Sequence, residues 1–193
     1  MKNKITEGVL LCILALFVGR TASAGTVTGT ISGLTAKDKG KVLVYVDKAS
    51  GTFNPPAKRP VMDQKGMTFI PFLLPVVQGA TVDFLNSDDT RHNVFSPDGE
   101  KYNLGTWPKG ESKPYTFKNL GVYSQLCNVH PEMQAYIIVL QNPYFATAEA
   151  DGKFTINGVP DGSYTLKTWH PAKKFADVPV TVKGGTSGPV TIQ

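Results

Sequence analysis

A thiol, an imidazole and a thioether stand close together in Cys127-Asn128-Val129-His130-Pro131-Glu132-Met133. The stretch before them (121–126) and the stretch after them (136–139) both read as strands, so these three side chains share one interstrand loop. A second imidazole is available upstream at His92, just past the strand-like run 81–85. Two histidines, one cysteine and a weak axial methionine are the ligand set of a mononuclear blue-copper site. Soft sulfur suits Cu(I), while imidazole serves both oxidation states. A protein that imposes one compromise geometry leaves little to rearrange when an electron moves. Zinc is disfavoured because a thioether contributes little to it. The expected ligands of one copper ion per chain are therefore His92, Cys127, His130 and Met133.

Each of these residues also has an ordinary use. A lone cysteine is commonly a small buried hydrophobe, a histidine at a strand end is commonly a hydrogen-bonded structural group, and Met133 can fill core. Their spacing and loop context favour the metal. A Cys127–His130 nucleophilic pair is the weaker reading, because no acid or amide orients the histidine and no oxyanion feature accompanies it.

The cysteine count strengthens the metal reading. The chain holds two cysteines, Cys12 and Cys127. Cys12 lies in an N-terminus that opens with Lys2 and Lys4, continues apolar over 9–18 and reaches Ala22-Ser23-Ala24, a small-x-small cleavage site. This is the pattern of a secretory signal peptide over 1–24, and the apolar run is too short to span a membrane. Cys12 follows Leu11, not the small residue expected before a lipoprotein cysteine. Removal of 1–24 takes Lys2, Lys4, Arg20 and Glu7 with it, which lowers the formal charge from +5 to +3. So mild a surplus does not support nucleic-acid binding. Export leaves Cys127 alone in an oxidising compartment, where no internal disulfide can form. A metal would both protect and use it. One cysteine also excludes a four-cysteine zinc site and a two-cysteine binuclear copper site.

The elements that must position these residues are short β-rich runs between Gly, Pro, Asn and Asp: 26–31, 41–46, 81–85, 122–126, 136–140, 153–156, 164–169 and 178–182. No amphipathic helix of three turns is evident. The expected fold class is all-β, in antiparallel sandwiches. Turn-rich breaks at 51–60 and at Gln141-Asn142-Pro143 bracket the block that carries the chemistry. Each flank alone is small for a sandwich of its own.

The central block resembles a cupredoxin of the plastocyanin and amicyanin type. The matching residues are Phe69-Ile70-Pro71, Gly79-Ala80-Thr81-Val82-Asp83-Phe84-Leu85-Asn86, His92-Asn93-Val94-Phe95-Ser96, and 121–133 with its short C-x2-H-x2-M loop. The resemblance covers 59–140. It implies a Greek-key sandwich of eight strands, with His92, Cys127 and His130 as equatorial ligands and Met133 axial. It implies that Asn93 ties the two ligand loops together beside the cysteine sulfur. It also makes His130 the ligand nearest solvent, ringed by apolar residues such as Pro131, where a redox partner would dock. Two departures stand out. The aromatic residue that precedes the cysteine in plastocyanins, their lateral electron-entry route, is Leu126 here, so the resemblance does not extend to that route. Gln125 falls on the same strand face as Cys127, where an apolar residue is expected, and Leu126 then points outward, to be covered by the other domain.

The run Asp151–His170 and its turns resemble a carboxypeptidase regulatory-like (transthyretin-like) β-sandwich. The opening strands of that family read Gly-x-Val-x-Gly and then Val-rich, a pattern found far upstream as Gly25-Thr26-Val27-Thr28-Gly29 and Val42-Leu43-Val44-Tyr45-Val46. The economical arrangement is one sandwich from 25–58 plus 141–193, with the cupredoxin block 59–140 inserted. Tandem domains and a single enlarged cupredoxin are the rivals. His170, followed by Pro171, is read as structural, Trp169 as core, Lys173 and Lys174 as a solvated loop, and Tyr144 and Phe145 as packing at the domain interface.

The expected function is that of an exported, periplasmic or secreted, blue-copper protein that is not an enzyme. It would carry single electrons by outer-sphere transfer between redox proteins such as a c-type cytochrome or a dehydrogenase. It would bind neither nucleic acid nor, after cleavage, membrane. No His-x-His pair suggests the extra centres of a multicopper oxidase. The alternatives are a copper carrier or buffer, and a flanking sandwich that binds a protein or glycan while copper is incidental.

Overall fold

The computed structural model describes residues 24–193. The expected export signal falls outside that range except for its last residue, Ala24. The described chain is all-β; its one helical element is a 3-10 turn at Ala36–Asp38. Strands β1 (Ala24–Ile31) and β2 (Leu43–Val46) come first. A block of nine follows: β3 (Val61–Gln64), β4 (Phe69–Ile70), β5 (Leu73–Val77), β6 (Thr81–Asn86), β7 (His92–Ser96), β8 (Tyr102–Trp107), β9 (Ser112–Thr116), β10 (Gly121–Leu126) and β11 (Gln134–Leu140). The last are β12 (Phe145–Thr147), β13 (Lys153–Pro160), β14 (Gly162–Trp169), β15 (Val178–Val182) and β16 (Val190–Ile192).

Four sheets are formed. The middle block makes two of them, ordered β5-β11-β10-β7-β8 and β4-β3-β6-β9. Alternation on β6 buries Val82 and Phe84, and a single core joins them to Met62, Phe117, Tyr123, Ile137, Cys127 and Met133. This is a cupredoxin-like sandwich. The outer strands make the other two sheets, ordered β13-β1-β16 and β12-β2-β14-β15. Strand β1 pairs with β13 and β16, and β2 pairs with β12 and β14, so residues at both ends of the chain close one core around Val27, Val44, Ile156 and Leu166.

The Gly-x-Val-x-Gly pattern of β1 has a steric origin. A Cβ at Gly29 would lie 2.5 Å from the Phe154 ring and 2.4 Å from the Val190 carbonyl oxygen, and one at Gly25 would lie 2.5 Å from Val182. Only a residue without a side chain lets β1 sit between two strands at this distance.

Strand β11 explains a run that does not alternate. Ala135, Ile137 and Val139 face the core of the middle-block sandwich, while Ile138 and Leu140 pack with Leu43 and Leu73 between the two sandwiches. A strand buried on both faces reads as continuously apolar. Tyr45, Phe72, Tyr136, Phe145 and Trp169 complete this middle layer, with the Tyr136 and Trp169 rings 4.8 Å apart. Trp169 therefore belongs to the layer between the sandwiches and not to the core of one. Leu126 is half-buried and lies outside that layer, contrary to expectation; Ile138 and Leu140 of the neighbouring strand receive the other sandwich instead.

Candidate metal centre

Strand β10 runs antiparallel to β11, with Leu126 opposite Gln134, so residues 127–133 form the loop that closes this hairpin. The loop is drawn tight by the Met133 N–H, which donates to the His130 carbonyl at 3.0 Å. On the other side of β10, Leu126 pairs with Phe95 of β7. That pairing carries His92, the first residue of β7, to the cysteine loop. A register irregularity between Asn93 and Phe95 re-aims the start of the strand.

His92, Cys127 and His130 thereby converge, with one potential ligand atom from each lying within 4.8 Å of the others. His92 is fully buried, Cys127 is buried, and His130 is half-exposed. The two Nδ1 atoms are 3.0 Å apart. That separation suits two imidazoles sharing one ion about 2.0–2.1 Å from each. Met133 is 1% exposed and packs in the same core cluster as Cys127. The donor set of two imidazoles and one thiolate, with a thioether in the adjoining core, fits copper.

Asn93 joins the pieces. Its backbone N–H donates to Cys127 Sγ at 3.4 Å. Its side-chain oxygen accepts from the Asn128 N–H at 3.3 Å, and its amide donates to Asn103 Oδ1 at 2.8 Å and the Gly105 carbonyl at 3.0 Å. The N–H fixes the sulfur against the start of β7.

Gln125 is fully buried, two residues before Cys127, and it is satisfied. Its side-chain Oε1 accepts a hydrogen bond from the Tyr102 hydroxyl, and its side-chain Nε2 donates to the Tyr123 carbonyl at 3.0 Å. Tyr102 stacks on Tyr115 at 3.9 Å, and burial pushes its pKa well above the ordinary tyrosine value.

One neighbour of the centre is absent from the sequence reading. Asp88 Oδ2 lies 2.9 Å from His92 Nε2. The same carboxylate accepts the Gly66 N–H at 2.7 Å and the Met67 N–H at 2.9 Å. Led by the Met67 bond and opposed by partial burial, these bonds hold its pKa down at about 2. The signal available in the sequence was its position four residues before His92.

His170 sits far from this centre in sequence and belongs to the outer strands. Its Nε2 is 3.1 Å from Asp38 Oδ1, off the line of a good hydrogen bond, and its Nδ1 accepts N–H groups from Ala172 and Lys173. Lys173 is not simply solvated: its ammonium lies 2.8 Å from Asp38 Oδ2.

Residues 125–193 match the family model of the ER membrane protein complex subunit 7 β-sandwich domain. Among solved structures, a copper-containing nitrite reductase (NirK) from Thermus scotoductus is 28% identical over 48% of this chain and 25% of its own, with a TM-score of 0.41. The chain thus spans a quarter of that protein's length. Amicyanin from Paracoccus versutus is 23% identical over 50% of this chain and 96% of its own, with a TM-score of 0.40. A purple cupredoxin from Nitrosopumilus maritimus is 22% identical over 42% of this chain and 98% of its own, with a TM-score of 0.39. No curated protein matches the chain. No helix among the described residues is long and apolar enough to cross a membrane.

Proposed function

We propose that this chain is an exported blue-copper protein that carries single electrons between redox proteins. The observation that carries the reading is the convergence of His92 Nδ1, His130 Nδ1 and Cys127 Sγ at the end of a packed sandwich, with His130 alone of the three half-exposed. Copper bound there supplies a one-electron change. The chain's part is to keep the ligands where they are. His92 and Cys127 are held in the dry interior, and the Asn93 N–H steadies the thiolate. Met133, buried beside Cys127, is the proposed axial ligand. The His130 ring is the proposed point of electron exit, flanked by the exposed Val129 and Pro131, which suit brief apolar docking of a c-type cytochrome or a dehydrogenase. The copper-binding unit is proposed to span 59–140, inserted in a sandwich built from 25–58 and 141–193.

The test is the visible and EPR spectra of residues 25–193 after addition of Cu(II). An intense thiolate-to-copper band, abolished in Cys127→Ser, is expected. A colourless protein, or one with only an ordinary tetragonal copper signal, would overturn the reading. Repeated oxidation and reduction against a small-molecule mediator separates a carrier of electrons from a carrier of copper, since the latter releases the ion to a Cu(I) chelator on reduction.

A further inference from the structure

The β3–β4 hairpin ends in a turn at 65–68 whose shape is unusual for its residues. Gly66 and Met67 both have left-handed backbone, at φ 63° and 54°. Glycine accepts this freely, but methionine there is strained. The turn closes with the Lys65 N–H donating to the Thr68 carbonyl at 3.0 Å and the Thr68 hydroxyl to the Lys65 carbonyl at 2.9 Å. Met67 gains no burial from the strain, for it is 52% exposed. What the conformation achieves is to aim two successive N–H groups at one carboxylate, that of Asp88. The oxygen of Asp88 that accepts from Met67 is the one that meets His92 Nε2.

We propose that Asp88 is a positioning residue that binds the exposed turn 65–68 to His92, so that the turn sets how strongly the His92 imidazole donates to the metal. This rests on the copper reading above. The chemistry is local. With Asp88 ionised, the His92 proton sits on Nε2, which leaves the Nδ1 lone pair free to face His130 Nδ1. A charged acceptor on Nε2 also makes the ring a stronger donor. The two N–H groups of the turn withdraw part of that charge. Removing the carboxylate and removing the turn's N–H groups should therefore shift the copper in opposite directions.

Three variants and two readouts test this. In the metal-free protein, 1H–15N NMR should show the His92 proton on Nε2 and slow to exchange, retained in Asp88→Asn and fast in Asp88→Ala. In the copper-loaded protein, Asp88→Asn should raise the reduction potential, with about a tenfold loss in the preference for Cu(II) over Cu(I), equal to 59 mV for a one-electron couple. Two glycines inserted between Gly66 and Met67 alter no metal-facing residue yet take the N–H groups from Asp88, and they should lower the potential. A His92 proton on Nδ1, an unchanged potential in Asp88→Asn, or a potential that does not fall in the insertion variant would each overturn the proposal. Absence of the blue band in the unaltered protein would sink the copper reading while leaving the NMR result to be judged separately.

Discussion

Tyr102 donates its hydroxyl hydrogen to the side-chain Oε1 of Gln125 inside the apolar core, two residues along the strand from Cys127. The pair is a self-contained answer to a polar group on an inward strand face. Tyr102 reaches across from β8 to β10, and Gln125 uses its amide on the Tyr123 carbonyl. Gln125→Leu should strand the Tyr102 hydroxyl and cost about 1–3 kcal/mol. The double change Tyr102→Phe with Gln125→Leu should recover much of that loss, because replacing both partners leaves nothing unpaired. Urea unfolding of the four proteins measures this, and strict additivity of the two single effects would refute it.

Asn93 carries three side-chain hydrogen bonds as well as the backbone contact with sulfur. Asn93→Ala keeps the N–H to Cys127 Sγ but frees Asn128 and the Asn103–Gly105 bend. Stability should fall by about 0.5–1.5 kcal/mol, the net worth of a hydrogen bond whose freed partners, Asn103 and Asn128, are exposed and can turn to water. Copper should leave the variant faster, while the energy of the thiolate-to-copper band changes little. Denaturant titration and chelator-driven release check the two parts.

Gly29→Ala places a Cβ against the Val190 carbonyl oxygen, which is backbone and cannot swing aside. The outer sandwich should lose about 1–3 kcal/mol to overpacking. The metal centre is built from other strands, so copper affinity at room temperature should be unaltered. Calorimetry together with copper titration tests this, and loss of copper binding in a folded variant would refute it.

Acid should loosen the outer sandwich through Asp38 and His170. The Lys173 ammonium, helped by Thr35, holds the Asp38 carboxyl far below the usual carboxylate range. Burial, partly offset by Asp38, pushes the His170 pKa down. Both groups thus favour their deprotonated forms in the folded state. The stabilisation from His170 is complete above its unfolded value near 6.5 and declines below it, and that from Asp38 is complete above about 4 and is lost as pH falls further. The melting temperature should accordingly fall as pH drops from 7.5 to 5.5 and more steeply below 4. Asp38→Asn should flatten the lower limb, and an unchanged acid profile in that variant would refute the assignment.

The candidate donor set of this protein was legible in the sequence because it lies in local spacing. The thiolate, imidazole and thioether of 127–133 share one loop, and alternation around them marks strands, so the donor set and the all-β class could be read without coordinates. The glycines of β1 were legible only as part of a family pattern, and the close approach they permit came with the structure. Other features are long-range and leave no local trace. Strands β3, β5, β8 and β9 are short or carry Pro and polar residues that blur their period. The 136–140 run is apolar on both faces only because a second sandwich packs against it. Gln125 looks misplaced until Tyr102 arrives from another strand, and Asp88 becomes a partner of His92 only when the 65–68 turn folds onto it. A donor's type is covalent and travels with the sequence. Its partner, its burial and the face that covers it depend on which distant strands pair, and the tertiary structure alone decides that.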